Sequence, residues 1–259
     1  MIRKTVFLAA ALLVSSPLDA AHPLITDDTG TQGTGRFQLE LNTEVIDDEE
    51  GRFKSTGTEV AATLSCGIAD NVDIVLGFPW MHYEIEEGGV TLADEDGIGD
   101  LSLEIKWRFF EYEDRGLSIA LKPGVTFPTG DDEKGLGNGE LSGGGSFLVS
   151  KEGVLGKLHL NLGYMRHEFG LEEDELLLRN DIWHASFAGE INVTADITAV
   201  GNIGVETNPG KNAEEDPAFL IGGLIYSVTD DFDLDAGVKW GLNDAETDRA
   251  FLVGLAARF

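Results

Sequence analysis

Charged side chains stand at alternate positions within apolar stretches of this sequence, the pattern that a wet or salt-bridged interior requires. In one stretch Glu104, Lys106 and Arg108 alternate with aliphatic and aromatic residues. A period of two places such a set on one face of a β-strand. An unpaired charge in an apolar medium is very costly, so the face is either hydrated or paired. The candidates for a solute path are Glu104, Lys106, Arg108, Lys122, Asp233, Asp235, Lys239 and Arg258. A salt-bridged plug and a narrow polar conduit remain alternatives.

Histidine chemistry is the next possibility. The five histidines form no HxxxH or HExxH pair, so the spacing predicts no metal site. A hydrolase would need a serine activated by a histidine that a third polar group holds. His159, His184 and Ser186 could lie on neighbouring strands, and a hydrolase is kept as the second alternative. Interior polar side chains are the more ordinary interpretation, and we expect no catalytic residues and no enzyme activity.

Acidic runs occur at 94–96, 131–133, 172–175 and 214–216. None has EF-hand spacing, and charge runs of this kind are usually solvated. The sequence leaves open whether these runs bind a specific divalent cation, and we expect no resident metal and no cofactor. The formal net charge of −29 opposes nucleic-acid binding. The glycine-rich run 135–139 lacks the lysine and hydroxyl residue of a phosphate loop.

The elements that would position these residues are long alternating strands. Five short turns, near 69–71, 112–115, 151–155, 193–195 and 229–231, alternate with six longer acidic connections. We place the connections at about 47–53, 85–96, 129–139, 169–179, 208–216 and 243–247. This arrangement predicts an all-β fold, an antiparallel up-and-down transmembrane barrel of about 12 strands. A secreted β-sandwich is the less favoured alternative.

Both ends of the chain carry targeting patterns. Arg3 and Lys4 precede an apolar run, which predicts a signal peptide over 1–20 that is cleaved near Ala20 and Ala21. We expect residues 21–34 to be a periplasmic N-terminal segment and residues 35–259 to form the barrel. The last strand alternates and stops at Phe259, as in proteins that the barrel-assembly machinery recognises through their final strand. These patterns predict the outer membrane of a Gram-negative bacterium.

Three stretches carry a family resemblance. The run His22-Pro-Leu-Ile-Thr-Asp-Asp-Thr-Gly-Thr-Gln-Gly-Thr-Gly-Arg-Phe-Gln-Leu-Glu40 is the longest, and Gly97-Ile-Gly-Asp-Leu101 leading into Lys106-Trp-Arg-Phe109 and Phe127-Pro-Thr-Gly130 agree with it. Together they resemble the outer-membrane family called "putative MetA-pathway of phenol degradation", over most of the mature chain. The resemblance implies an outer-membrane transporter, with a family name taken from aromatic degradation. It brings no catalytic residues.

The expected function is therefore a monomeric barrel channel for passive uptake of small solutes, with aromatic or hydrophobic solutes among the candidates. Its expected surroundings are outer-membrane lipid and lipopolysaccharide. The first alternative is a non-conducting structural or interaction barrel whose acidic loops bind cations or lipopolysaccharide. The sequence names no solute and does not decide whether the lumen is open or plugged.

Overall fold

The computed structural model describes residues 22–259, and the expected signal peptide lies outside these residues. Thirteen strands follow one another along the described chain, and a single short α-helix, α1, lies at Glu172–Leu177. The strands are β1 Phe37–Glu50, β2 Phe53–Ala69, β3 Val72–Glu87, β4 Val90–Ile98, β5 Leu101–Tyr112, β6 Leu117–Phe127, β7 Ser142–Glu152, β8 Gly156–Arg166, β9 Asp181–Asn192, β10 Ile197–Glu206, β11 Ala218–Thr229, β12 Phe232–Gly241 and β13 Arg249–Arg258.

Twelve of these strands form a closed antiparallel barrel. Each pairs with the next strand of the ring, so that β3 pairs with β5, and β1 closes the ring by pairing with both β2 and β13. The remaining strand, β4, pairs only with the second half of β3, from Trp80 to Glu87. The first half of β3, from Val72 to Gly77, pairs with β5. The predicted fold class is thus confirmed, with β4 as an extra strand outside the ring.

The strand ends differ from the sequence prediction in two regions. The connection expected at 85–96 is for the most part strand, because β3 continues to Glu87 and β4 begins at Val90. The connection expected at 47–53 is also a tight hairpin, since β1 and β2 pair out to Glu50 and Phe53. Both hairpins are rich in acidic residues. Composition therefore indicated loops although the backbone remains paired.

The barrel has an apolar outer face and a mixed inner face. Trp107, Phe147, Phe187, Leu220 and Phe251 are among many large apolar residues that the outer face exposes. A continuous exposed apolar surface of this extent marks contact with another apolar phase. Buried polar residues alternate with this set along the same strands, as Ser102, Glu104 and Lys106 do in β5. No helix in residues 22–259 is both long enough and apolar enough to cross a membrane.

The two rims of the barrel differ. One rim, the short-turn end, carries the five short turns together with the start of β1 and the end of β13. The other rim, the long-loop end, carries the β3–β4 hairpin and the longer connections. Two of these connections fold over the long-loop end as cap loops, the first at residues 128–141 and the second, which contains α1, at residues 167–180. They position the groups described below.

Candidate solute pathway

The lumen contains the chain's own N-terminal segment, residues 22–34. Sequence analysis assigned this segment to the periplasm, whereas in the structure its contacts are with the inner wall. Thr26 Oγ1 donates to Ser186 Oγ (2.7 Å), the Thr29 amide donates to Ser150 Oγ (3.0 Å), and the Gln32 amide donates to Asp73 Oδ2 (2.9 Å). These contacts pass from β9 through β7 to β3. The segment therefore follows the wall around much of the ring before β1 begins.

The first residues of the segment pack against an apolar and glycine-lined part of the wall. Leu24 is buried with Ala188 and Val200, and Ile25 packs on a cluster formed by the residues Phe219, Ile221 and Leu252. Pro23 lies so close to two glycines that a Cβ on Gly223 or Gly237 would come within 2.6 or 2.9 Å of its ring. The wall here has room for the segment only because those positions lack side chains.

Charge pairing fixes the middle of the segment. Lys106 Nζ lies 2.8 Å from Asp27 Oδ1, and Lys122 Nζ lies 3.1 Å from Asp27 Oδ2 and 3.1 Å from Glu104 Oε2. Asp28 adds a longer contact of 3.5 Å with Lys106. The Lys122 side chain is 1% exposed, so removal of its partners would leave a buried charge. These residues are called the lysine cluster: Asp27, Asp28, Glu104, Lys106 and Lys122.

A neutral contact completes this attachment. The buried side chain of Asn161 is at hydrogen-bond distance from both backbone polar groups of Asp27. With its amide nitrogen toward the Asp27 carbonyl the separation is 2.9 Å, and its oxygen then accepts from the Asp27 amide at 2.6 Å. On β10, Asn202 Oδ1 accepts from the amides of Ile25 and Thr26. The wall thus satisfies the segment's backbone as a neighbouring strand would.

The other predicted path residues form separate ion pairs around the ring. Asp235 contacts His22, and Arg258 Nη1 lies 2.7 Å from Asp233 Oδ2. Lys239 Nζ lies 2.8 Å from Glu44 and 3.5 Å from Glu246. Arg108 is placed differently, because its side chain lies at the short-turn end and donates to the Asp70 carbonyl. The structure therefore brings Glu104, Lys106 and Lys122 together and distributes the rest.

A cavity of about 630 Å³ lies inside the barrel beside the segment. Its wall includes Lys106 and Lys122 at mid-barrel and reaches Asp230 and Asp231 in the β11–β12 turn. The residues that line it are mostly charged or polar, among them Asp28, Gln32, Gln38, Glu40, Ser65, Asp73 and Arg258. A chamber lined in this way suits water and polar solutes, and it reaches the short-turn end.

Two histidines of the inner wall, His159 and His184, contact carboxylate side chains. His159 Nδ1 lies 2.8 Å from Ser150 Oγ, and His159 Nε2 lies 3.1 Å from Glu190 Oε1. His184 lies 3.4 Å from Glu206 and stacks on Phe219, whereas Ser186 Oγ accepts from Thr26 Oγ1. These contacts do not join His159, His184 and Ser186, the residues of the hydrolase alternative. Ser150 Oγ, which contacts His159, also accepts from the Thr29 amide.

The cap loops contact each other and the β3–β4 hairpin. Leu136 packs with Tyr83 and Ile85, and the Gly170 amide donates to the Asn138 carbonyl at 2.7 Å. Asn138 Nδ2 also contacts His167 Nδ1 at 3.0 Å, and burial lowers the pKa of His167. In α1, burial and then the carboxylates of Glu173 and Asp132 raise the pKa of Asp174 to about 6. Among residues 22–259, no three histidine, cysteine or acidic side chains converge as a metal site.

Sequence reasoning did not find the partners that the segment supplies. Asp27 and Asp28 lie outside any alternating stretch, and Ser150, Asn161 and Asn202 carry no charge to mark them. The sequence did contain one indication of a further acidic partner. Lys106 and Lys122 lie at inward positions on adjacent predicted strands, and Glu104 alone does not balance two buried positive charges. The acidic pair that follows the apolar run 23–25 was the nearest unassigned source.

A closed ring with an apolar outer face and a largely polar inner face is typical of outer-membrane β-barrels, and the protein is of this class. The sequence matches the family described as "Putative MetA-pathway of phenol degradation" over residues 23–259, and the chain belongs to that family. No protein of curated function matches it.

Solved structures show the same fold. An outer-membrane channel from Pseudomonas putida F1 superposes with a TM-score of 0.70 and 13% identity, over 90% of this chain and 98% of the other. The NanC porin superposes with a TM-score of 0.54 and 9% identity, over 84% of this chain and 98% of the other. The KdgM porin superposes with a TM-score of 0.52 and 9% identity, over 86% of this chain and 99% of the other. At such low identities these likenesses establish the barrel fold, and solute and mechanism need separate arguments.

Proposed function

We propose that the protein is an outer-membrane channel for passive uptake of small solutes, with neutral aromatic compounds such as phenols in its range. The observation that carries the proposal is the polar cavity inside a closed barrel of channel fold. Family membership supports the aromatic class, since the family description refers to phenol degradation. In this proposal the protein is a monomer and has no catalytic activity.

The short-turn end faces the periplasm in this proposal, and the cap loops and the β3–β4 hairpin face the exterior. Short periplasmic turns and longer external loops are the rule for bacterial outer-membrane barrels. The N-terminal segment then enters the lumen from the periplasmic side, consistent with a chain that is exported first and folded afterwards. Assembly proceeds through the last strand and Phe259 by way of the barrel-assembly machinery.

The N-terminal segment would set the width of the path. It occupies part of the lumen, and a twelve-stranded barrel is intermediate between side-chain-filled eight-stranded and open sixteen-stranded barrels. Phenol carries one hydroxyl group and no charge, so it can exchange hydrogen bonds with the lining without adding to the ion pairs. A carboxylated aromatic would have to compete with Asp27 and Glu104 for Lys106 and Lys122. Neutral compounds therefore pass more readily than aromatic acids.

The first test is single-channel conductance in planar bilayers. The full mature protein should give a small, stable conductance, and a variant lacking residues 22–34 should give a conductance at least severalfold larger. Heat modifiability on a gel verifies that both proteins are folded. No conductance in either protein would overturn the channel proposal.

The lumen contacts of the segment favour a second candidate, a non-conducting barrel that serves as a structural or interaction protein. Conductance only after removal of the segment would support it. The solute class is tested separately, by growth of a deletion strain on limiting phenol or limiting benzoate. Growth on phenol should slow and recover on complementation, whereas loss confined to benzoate would contradict the neutral-solute preference.

A further inference from the structure

An acidic side chain of α1 is buried in the second cap loop without a hydrogen-bond partner. Asp174 is 4% exposed, and its Oδ1 atom has no donor within hydrogen-bond distance. A buried polar atom of this kind in a native protein indicates a bound water, an ion or a special role. The charges that act on it most are further carboxylates, Glu173 and Asp132, which repel it.

The first cap loop directs a second carboxylate toward the same place. Asp132 Oδ2 lies against the backbone of two glycines, and a Cβ on Gly139 or Gly170 would approach it to 2.3 or 2.8 Å. Gly170 belongs to the second cap loop and precedes Asp174 by four residues. The close approach of Asp132 to that loop is possible only because both positions are glycine.

Backbone contacts hold the first and second cap loops against each other. Gly139 forms an isolated bridge with Phe169, and the Gly170 amide donates to the Asn138 carbonyl. The buried carboxylate of Asp174 and the carboxylate of Asp132, from different loops, therefore act on each other across this contact. Such a pair is unfavourable when both groups are ionised, unless a cation lies between them.

We propose that Asp132 and Asp174 bind one divalent cation, with Ca²⁺ the best fit, which fastens the two cap loops together. Calcium accepts carboxylate oxygens in flexible geometry and completes its coordination with carbonyl oxygens and water. With only two carboxylates as side-chain ligands, the site belongs to the weak class of extracellular sites, with a Kd on the order of 0.1–1 mM. Loops at a cell surface meet calcium at such concentrations. The proposal does not depend on whether the barrel conducts.

The test is calcium titration calorimetry on the folded full-length mature barrel in detergent. The wild-type protein should bind one equivalent of Ca²⁺ saturably, and Asp174→Asn and Asp132→Asn should each weaken that binding about tenfold or more. The matched controls are Glu175→Gln in the exposed part of α1 and Asp131→Asn beside Asp132, which should stay within about twofold of wild type.

A second readout follows the loops themselves. Calcium should slow trypsin cleavage at Lys134 and Arg179 in the wild type and in both controls, and should have no effect in Asp174→Asn or Asp132→Asn. Heat modifiability verifies that each variant is folded, and either aspartate variant suffices if the other misfolds. Absence of saturable binding by the wild type, or an equal loss in controls and site variants, would overturn the proposal in favour of a protonated Asp174 or diffuse ion association.

Discussion

Single side chains decide how the lumen is occupied. Lys122 is almost fully buried on a barrel strand, and its charge is stable there because Asp27 and Glu104 lie within 3.1 Å. Sequence alternation predicted the wall members of this group, since Glu104, Lys106 and Lys122 stand at inward positions. It could not predict Asp27, because the N-terminal segment has no period from which a direction can be read.

Replacement of Lys122 by methionine should therefore destabilise the barrel and release the segment. Asp27 would retain Lys106, but Glu104 would lose its contact with Lys122, and the loss of one partner from a buried pair typically costs about 3 kcal/mol or more. Urea unfolding in detergent measures the stability, and protease access to residues 22–34 measures the release. The double variant Lys122→Met with Glu104→Gln should recover part of the loss. Unchanged stability of the single variant would show that this lysine is solvated.

His167 makes the contact between the cap loops pH-dependent. Its Nδ1 atom must be unprotonated to accept from Asn138 Nδ2, and burial lowers the pKa below the ordinary value of 6.5, although Glu206 and Asp100 act in the opposite direction. The unfolded loop therefore binds the proton more tightly. Stabilisation by the neutral ring is present above about pH 6.5 and is lost as the pH falls through the lowered pKa.

Hydrogen exchange at residues 136–140 should consequently accelerate as the pH is lowered from 7.5 to 5, beyond the intrinsic pH dependence of exchange. The change His167→Gln keeps a hydrogen-bonding side chain and removes this titration, so its protection should depend less on pH than that of the wild type, while Asp174, whose pKa burial raises to about 6, titrates in both proteins. The variant His82→Gln, which alters an exposed histidine on β3, is the control and should behave as wild type. An identical pH response in His167→Gln would contradict this role.

At the scale of elements, the last residue completes the ring. The Phe37 amide donates to the Phe259 carbonyl at 2.8 Å, and the Phe259 amide donates to the Phe37 carbonyl at 3.0 Å. The aromatic ring itself stays exposed on the outside. The backbone of Phe259 thus extends the pairing of β1 with β13 by one residue.

Two variants separate these roles of Phe259. Deletion removes both hydrogen bonds and the ring, whereas Phe259→Ala removes the ring alone. We expect both to lower the heat-modifiable fraction in cells, with the deletion lower still. If refolding of Phe259→Ala from urea in detergent matches wild type, the loss in cells belongs to assembly. Normal assembly of both variants would refute the role of this residue.

The hairpin and turn lengths give a testable orientation. The tip of the β3–β4 hairpin, at Gly88 and Gly89, should be exposed at the cell surface, and the β7–β8 turn at Val154 should face the periplasm. An epitope inserted at Gly89 should be labelled on intact cells, and one inserted at Val154 only after permeabilisation. The opposite labelling would reverse the barrel in the membrane.

The strands were predictable from sequence to within a few residues because lipid on one side and lumen on the other impose strict alternation. That constraint ends at the rims, so β4 was missed: Asp94, Glu95 and Asp96 are consecutive acidic residues, yet they pair with Glu84, Tyr83 and His82. Such a strand is possible there because β4 itself stays largely exposed, while Tyr83 and Ile85 of β3 pack under Leu136. The lumen path of residues 22–34 was missed for the related reason that its contacts join residues far apart in sequence.

For the whole molecule, charge is the dominant property. The chain carries a formal net charge of −29, and its acidic runs cluster in the cap loops and hairpins. The interior cations do not offset this for a passing ion, since Lys106, Lys122 and Lys239 are each paired with carboxylates. Asp230 and Asp231 at the cavity's short-turn mouth, together with the acidic runs of the cap loops, give a negative potential that enriches cations locally.

Any ion current should therefore be cation-selective at low salt and lose most of that preference at high salt. Screening acts over about 10 Å at 0.1 M and about 3 Å at 1 M, so the field of exposed mouth carboxylates shrinks while the interior pairs are little affected. The measurement is the reversal potential across a salt gradient in a planar bilayer. Asp230→Asn with Asp231→Asn, at the cavity's short-turn mouth, should lower the cation preference, whereas Asp114→Asn, in a short turn outside the cavity lining, should leave it unchanged. Anion selectivity of the unmodified protein would defeat the mouth-charge argument, because it would require the paired lysines to govern the passing ion.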